Sequence, residues 1–289
     1  MARRIPRVSS GVLEAVAGPS PAVLEAISTL ERETVEVDGG RLKLEWDTLR
    51  SRQGDDVEDV LWWEHDMLVG FVGRYAFGGG AVEVTGMVHP AFRRRGIGSR
   101  LLDEVMGLCA RRDDGTVLLV APRTSSGAQV MAERRGGVLD HSEHALDLYG
   151  EVVAVPSDPT VTLRRAMSSD GEDVGRILTD AFGHPWRPLD LEAPNEPTLV
   201  AERDGRIVAT LRVYRSPDVW GVYGFAVDPD LQGRGIGRDL LARVCRRARD
   251  SGTPHVHLEV EVGNDRALNL YTSLGFTRTS TEDYFSLAT

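Results

Sequence analysis

The sequence predicts a mixed α/β fold, built twice in tandem. The first observation is a repeated phrase: VHPAFRRRGIGSRLLDEV from Val88 returns as VDPDLQGRGIGRDLLARV from Val227, an offset of 139 residues. The second is register. Val88, Pro90, Arg95, Gly96, Ile97 and Gly98 meet Val227, Pro229, Arg234, Gly235, Ile236 and Gly237, and the same offset still pairs Gly136 with Gly275 and Leu148 with Leu287. Two unrelated copies of a short motif would not hold register that far, whereas a duplicated domain does. The third is the alternation of strand-like and helix-like segments through each copy.

In the second copy TVTLRRA reads as an opening strand and GEDVGRILTDAFG as an amphipathic helix ended by Gly183. PTLVAERDGRIVATLRVY holds two apolar runs broken by Asp204-Gly205, a hairpin turn signal. The strand VWGVYGFAV, the glycine loop, a helix from about Ile236 to Asp250 and the strand HVHLEVEV come next. A short helix, DRALNLYTSLG, and a last strand, DYFSL, close the copy. The first copy repeats the plan from DVLWWEHDMLVGFVGRYAF onward, with Trp62-Trp63 extending a strand that is core on one side. Before Asp56 the reading is ambiguously helical, and MARRIPRVSSGVLEAV reads as a poorly ordered leader without the features of a signal peptide. The expected division is a domain over 1–150, a linker over 151–160 broken by Pro156 and Pro159, and a domain over 161–289.

Composition narrows the class. No stretch approaches the roughly 20 apolar residues of a membrane helix. A net charge of −10 argues against nucleic acid as a partner, because that affinity comes mainly from phosphate neutralisation, and it favours cationic partners such as amines. Cys109 and Cys245 lie in helical patterns with no ligand spacing, which makes them buried filler in a reducing cytoplasm. A cytoplasmic protein without membrane or nucleic-acid partners is expected; oligomeric state is left open.

A strand running through glycines into a helix gathers several backbone N–H groups at the positive end of the helix dipole, which suits a phosphate or pyrophosphate. Arg95 and Arg234 can pair with further phosphate oxygens. The Lys-Ser/Thr of a P-loop is absent, and the pattern is not G-x-G-x-x-G.

Read with its flanks, V-x-P-x-x-[RQ]-x-[RK]-G-[IL]-G resembles the acetyl-coenzyme A loop of the GNAT N-acetyltransferases. NDRALNLYTSLGF is similar to that superfamily's N-x-x-A-x-x-x-Y-x-x-x-G-F segment, and VEVTGMVHP to its fourth strand. The likeness covers most of 161–289 and, in less detail, about 56–150. It implies two tandem GNAT acyl-CoA N-acyltransferase domains, each an α/β (α+β) mixed, mostly antiparallel sheet flanked by helices. The implied activity is acetyl-CoA-dependent N-acetyl transfer to a small-molecule or peptide amine, directly in a ternary complex and without a metal. A non-catalytic acyl-CoA-binding or regulatory module is the alternative.

The resemblance also implies roles. Gln232, Gly233, Arg234, Gly235, Ile236, Gly237 and Arg238 would hold the pyrophosphate, with Arg93, Arg94, Arg95, Gly96, Ile97, Gly98 and Ser99 as first-copy counterparts. Phe225, Ala226 and Val227 would offer backbone groups to the pantetheine arm, with Gly86, Met87 and Val88 as counterparts. Asn264 would lie near that arm, and Tyr271 would protonate the leaving thiolate unless it is only a core aromatic. In the first copy these two positions are Ser125 and Ala132, so that domain is expected to bind coenzyme or serve as structure while the C-terminal domain is catalytic. Glu83 is a first-copy base candidate or a charged residue on an exposed strand face. Glu259 and Glu261 share a strand face with His255 and His257, and Glu259 is either a base or part of a solvated face. His184 and Trp186 fall where the family builds its acceptor pocket, or else pack a loop.

Overall fold

Periodicity in the sequence resolves into elements in the order the repeat demands. The structure, a computed structural model, describes residues 11–77, 81–183, 190–193 and 196–288. The first repeat runs β1 (Val12–Val16), α1 (Pro21–Asp38), α2 (Trp46–Ser51), β2 (Asp59–Glu64), β3 (Met67–Ala76), β4 (Val82–Val88), α3 (Ile97–Arg112), β5 (Val117–Pro122), α4 (Ser126–Arg134) and β6 (Val138–Tyr149). The second runs β7 (Thr162–Arg165), α5 (Gly171–Phe182), β8 (Thr198–Arg203), β9 (Arg206–Arg215), β10 (Trp220–Val227), α6 (Ile236–Asp250), β11 (His255–Glu261), α7 (Asp265–Ser273) and β12 (Thr277–Leu287). The β8–β9 hairpin turns at Asp204 and Gly205, both with positive φ (52° and 72°), the backbone that an Asp-Gly pair favours.

Two compact units result, and they do not follow the repeat boundary. One comprises Met1–Ser142 with Ser280–Thr289, the other Glu143–Thr279. In the first unit the strand order is β1-β2-β3-β4-β5-β12, and in the second β6-β11-β10-β9-β8-β7. Pairing is antiparallel except between β4 and β5 and between β10 and β11. Each repeat's last strand therefore completes the other unit. Glu143–Tyr149 of β6 pairs with Glu261–His255 of β11, and Glu282–Leu287 of β12 pairs with Pro122–Val117 of β5.

In each unit helices pack on both faces of the strands. In the second unit α6 lays Leu240, Leu241 and Val244 on Val222, Val256 and Leu258, and the exchanged strand adds Leu146 and Leu148 to this core. On the other face α5 packs Val174, Ile177 and Leu178 with Val200 and Ala226. The first unit repeats the plan, with α3 over Val69, Val84 and Leu119 and α1 over Leu61, Phe71 and Met87. Each fully buried side chain of this kind contributes about 1.5–3 kcal/mol.

Three expectations need correcting. Val12–Val16, taken as part of a leader, is strand β1, paired with β2; only residues 1–10 of that segment lie outside the described residues. The stretch before Asp56 holds this strand as well as helices, with α1 opened by Ser20 and Pro21 and Ser20 accepting the Val23 N–H at 3.4 Å. Ala and Glu in VLEAV favour helix, but pairing with β2 overrides that weak propensity. The final strand begins at Thr277 rather than at Asp283. Trp62 is buried with the α3 face as foreseen, and Trp63 adds partial packing on the α1 face.

Candidate active site

The site begins where parallel strands part. β10 and β11 pair only over Trp220–Val222 against Val256–Leu258, while β10 stays paired with β9 as far as Val227. The rest of β10 thus presents one backbone edge to a wedge between it and β11. β4 and β5 part in the same way after Val84 and Leu119, with β4 paired to β3 as far as Val88. An extended ligand arm can enter such a wedge and hydrogen-bond like an added strand.

The two wedges differ in the course of the strand that borders them. Tyr223 stands opposite Arg212 and Ala226 opposite Thr210, so β10 carries a bulge between those points. Gly224 takes the left-handed backbone there, φ 54°. β4 crosses the corresponding stretch through Thr85 and Gly86 with its ladder to β3 unbroken. A bulge turns backbone N–H groups and side chains off the ladder, and it does so at Gly224 and Phe225, where the second wedge opens.

Both loops beyond the strands have one architecture. Gln232 Nε2 donates to the Val227 carbonyl at 3.0 Å, as Arg93 Nε does to the Val88 carbonyl at 2.9 Å. Gly235 (φ 85°) and Gly96 (φ 84°) turn left-handed at the helix N-caps, and neither cap supplies a side-chain acceptor to the first amides of α6 or α3. Those amides, with the helix dipole, give Ile236–Arg238 and Ile97–Ser99 the chemistry that suits an anion. The arginines behave less uniformly than expected. Arg234 and Arg95 donate to the carbonyls of Asp230 and Ala91 at 3.3 and 3.1 Å. Arg93 is tied to Asp38 at 2.6 and 2.8 Å, and Arg94 carries the positive φ (63°) that Gly233 (φ 77°) carries in the second loop.

Helix α7 closes the second wedge. Asn264 is its N-cap, its side-chain oxygen accepting the Ala267 N–H at 3.0 Å, so it shapes the helix start whatever else it contacts. Tyr271 is buried in the α6-side core, its ring 6.4 Å from that of Phe225 and 6.2 Å from that of Phe276. Burial pushes its phenol up to about 12, so it keeps its proton throughout the neutral range. In the first unit Ser125 and the fully buried Ala132 hold the matching places on α4.

The opposite face of β11 is polar. His255, His257 and Glu259 point away from the core that holds Val256, Leu258 and Val260. Glu259 keeps 15% of its side chain exposed and lies 3.7 Å from His257. Asp147 of β6, opposite His257, receives both imidazoles, at 2.6 Å from His255 and 2.7 Å from His257, and the Thr279 hydroxyl as well. Burial alone would push its carboxyl up; these hydrogen bonds outweigh burial and hold it well below the usual carboxylate range. In the first unit Glu83 is not a solvated surface charge. It lies 3.5 Å from Lys43, the single lysine of the chain, whose ammonium also donates to Tyr284 at 2.6 Å.

Gly224, Lys43, Asp147 and Tyr284 have no local signal in the sequence: the bulge is a matter of pairing, and the other three meet partners more than 100 residues away. Cys109 and Cys245 are buried and free, as expected, their thiols pushed up to about 11 and about 12, chiefly by burial. His184 and Trp186 lie outside the described residues. No helix among the described residues is long and apolar enough to cross a membrane.

Comparison with known proteins agrees with this geometry. Residues 169–276 match the Acetyltransferase (GNAT) family and residues 57–136 an Acetyltransferase (GNAT) domain. A mycothiol acetyltransferase of Thermomonospora curvata is 35% identical over 66% of this chain and 69% of its own. One from Acidothermus cellulolyticus is 28% identical over 92% of this chain and 91% of its own. Among solved structures, a GCN5-related N-acetyltransferase from Sphaerobacter thermophilus superposes with a TM-score of 0.78, covering 96% of this chain and 95% of its own at 22% identity, a likeness of fold.

Proposed function

The chain belongs to the GNAT acetyltransferase family, with two such domains in tandem, and from that premise we propose that it moves an acetyl group from acetyl-CoA to a small-molecule amine, directly in a ternary complex, in the unit that holds Tyr271. The observation that carries this reading is the bulge at Gly224, present in β10 and missing from β4, at the point where the wedge opens. It coincides with Tyr271 on the neighbouring helix, where the first repeat has Ala132.

The donor fits the residues present. The uncapped amides at Ile236–Arg238 suit its pyrophosphate, and the open edge of β10 at Phe225–Val227 suits its pantetheine arm. A backbone N–H of the bulged segment would stabilise negative charge as it builds on the thioester oxygen. The amine nitrogen bonds to the acetyl carbon as the carbon–sulfur bond breaks. Tyr271 gives its proton to the departing sulfur, and Glu259, on the face away from α6, takes the proton the amine loses.

The first unit keeps the cradle and the wedge without bulge or phenol, which supports coenzyme binding or a scaffold role there. Glu83, its candidate base, is engaged by Lys43. A narrower reading of the acceptor is favoured by the relatives, which are named mycothiol acetyltransferases: this chain would then acetylate the amine of deacetylated mycothiol.

Calorimetric titration of the intact chain with acetyl-CoA tests the roles, together with Gly237→Leu and Gly98→Leu. A Cβ at Gly237 meets Leu270 and Val227 at 3.2 Å, whereas one at Gly98 meets nothing nearer than Val88 at 3.5 Å. Gly237→Leu is expected to abolish turnover and one binding event, and Gly98→Leu to spare most of the turnover. Equal loss in the two variants would overturn the division of roles. Coenzyme release with a panel of amines, deacetylated mycothiol included, tests the acceptor.

A further inference from the structure

The polar face of the second unit holds a cluster that acetyl transfer does not use as a whole. Strand geometry explains how it forms. His255 and His257 are two residues apart on β11, so their imidazoles share a face about 7 Å apart at the backbone. Asp147 stands directly opposite His257 on antiparallel β6, on the same face and about 5 Å away at the backbone. Three ligand atoms then converge: Asp147 Oδ1, His255 Nε2 at 2.6 Å from it and His257 Nδ1 at 2.7 Å, all within 4.8 Å of one another. Among the described residues this is the group of metal-ligating side chains that meets in this way.

The surroundings sort the donor atoms. The Thr279 hydroxyl takes the other carboxylate oxygen, Oδ2, and leaves Oδ1 to the imidazoles. The far nitrogen of His257 is turned toward Glu259 at 3.7 Å, a carboxylate behind an imidazole. The Tyr149 ring stacks on His255 at 4.4 Å and fixes its plane. An outer layer that anchors the carboxylate and orients the imidazoles is what a transition-metal site needs and a merely solvated polar face does not.

We propose that Asp147, His255 and His257 form a binding site for a divalent transition-metal ion of the zinc class, joining β6 to β11. Two imidazoles and one carboxylate suit zinc, cobalt or nickel and disfavour magnesium and calcium, which want oxygen alone. Three protein ligands leave one position for water or a small ligand. The ion ties the strand that ends the first repeat to a strand of the second repeat, inside one compact unit. The sequence alone puts His255 and His257 on one strand face, where a metal cluster is conceivable but disfavoured; it does not supply Asp147, which falls in the first repeat. The inference does not rest on the acetyl-transfer reading.

The test uses the full chain, loaded with zinc sulfate, freed of excess metal and measured for bound zinc by mass spectrometry. Cobalt(II) substitution provides a visible spectrum that reports coordination. The wild type is expected to retain about one zinc per chain, a typical count for such a site. Asp147→Asn and His255→Ala are expected to retain none. Thr279→Val keeps all three ligands and is expected to bind on the order of 10–100-fold more weakly, as losses of outer partners do. Zinc is expected to raise the melting midpoint of the wild type and leave that of Asp147→Asn unchanged. Zinc content equal in wild type and Asp147→Asn, or a cobalt spectrum unchanged by His255→Ala, would overturn the site and leave a hydrogen-bonded cluster. Circular dichroism of each variant separates loss of metal from loss of fold.

Discussion

Tyr271 shows how surroundings fix the protonation state of one residue. Burial among Phe225 and Phe276 raises its pKa to about 12, so the phenol is a donor at every working pH and does not titrate with the amine. Tyr271→Phe is therefore expected to lower kcat by about tenfold or more without moving the lower limb of the pH–rate profile. A steady-state profile from pH 6 to 9 checks both parts, and an unchanged rate would remove Tyr271 from the reaction. Tyr271 and Asn264 could be singled out in the sequence because their motif is contiguous, and the structure puts it on one short helix and its N-cap. Lys43 and Asp147 were not, because nothing near them in the chain announces Tyr284, 241 residues away, or His255, 108 residues away. Local pattern reports local partners.

Among the elements, the two loop–helix junctions were legible nearly to the residue, since V-x-P and paired glycines state where a strand ends and a helix starts. β1 was not, because its five residues pair at the sheet edge with most of their side chains out in solvent, and no period-2 pattern marks them. The bulge in β10 was equally hidden. A sequence shows Gly224 but not the register slip that requires it. Gly224→Val places a β-branched residue where the backbone is left-handed, at a cost of about 1–2 kcal/mol. The expected result is a flattened or weakened bulge, a kcat at least tenfold lower, in the range found for losing an oxyanion donor or more modestly for displacing it, and acetyl-CoA binding at the loop retained. Calorimetry paired with turnover separates the two effects. Full activity in Gly224→Val would detach the bulge from transfer.

For the whole molecule, the duplication was plain in the sequence, yet the compact units exchange their last strands, and a repeat read by offset carries no sign of which sheet its final strand joins. Removing residues 280–289 withdraws Tyr284, Phe285 and Leu287 from the first unit. At about 2 kcal/mol for each side chain this costs on the order of 5 kcal/mol, comparable with the whole net stability of a small domain. Hydrogen exchange is expected to show lost protection in β4 and β5 while β9, β10 and α6 keep theirs. Uniform loss through both units would mean that they unfold as one.

The same exchange sets an order of assembly during synthesis. Chains grow from the N-terminus at about 5–20 residues per second, and domains generally fold in that direction. Here the unit whose residues are made first waits for β12, which follows every other element in the chain. The second unit has all its strands once Glu261 has been made, since β6 is already present. Of the two units, the one begun first is finished second, and until then the edge of β5 stands open on the nascent chain.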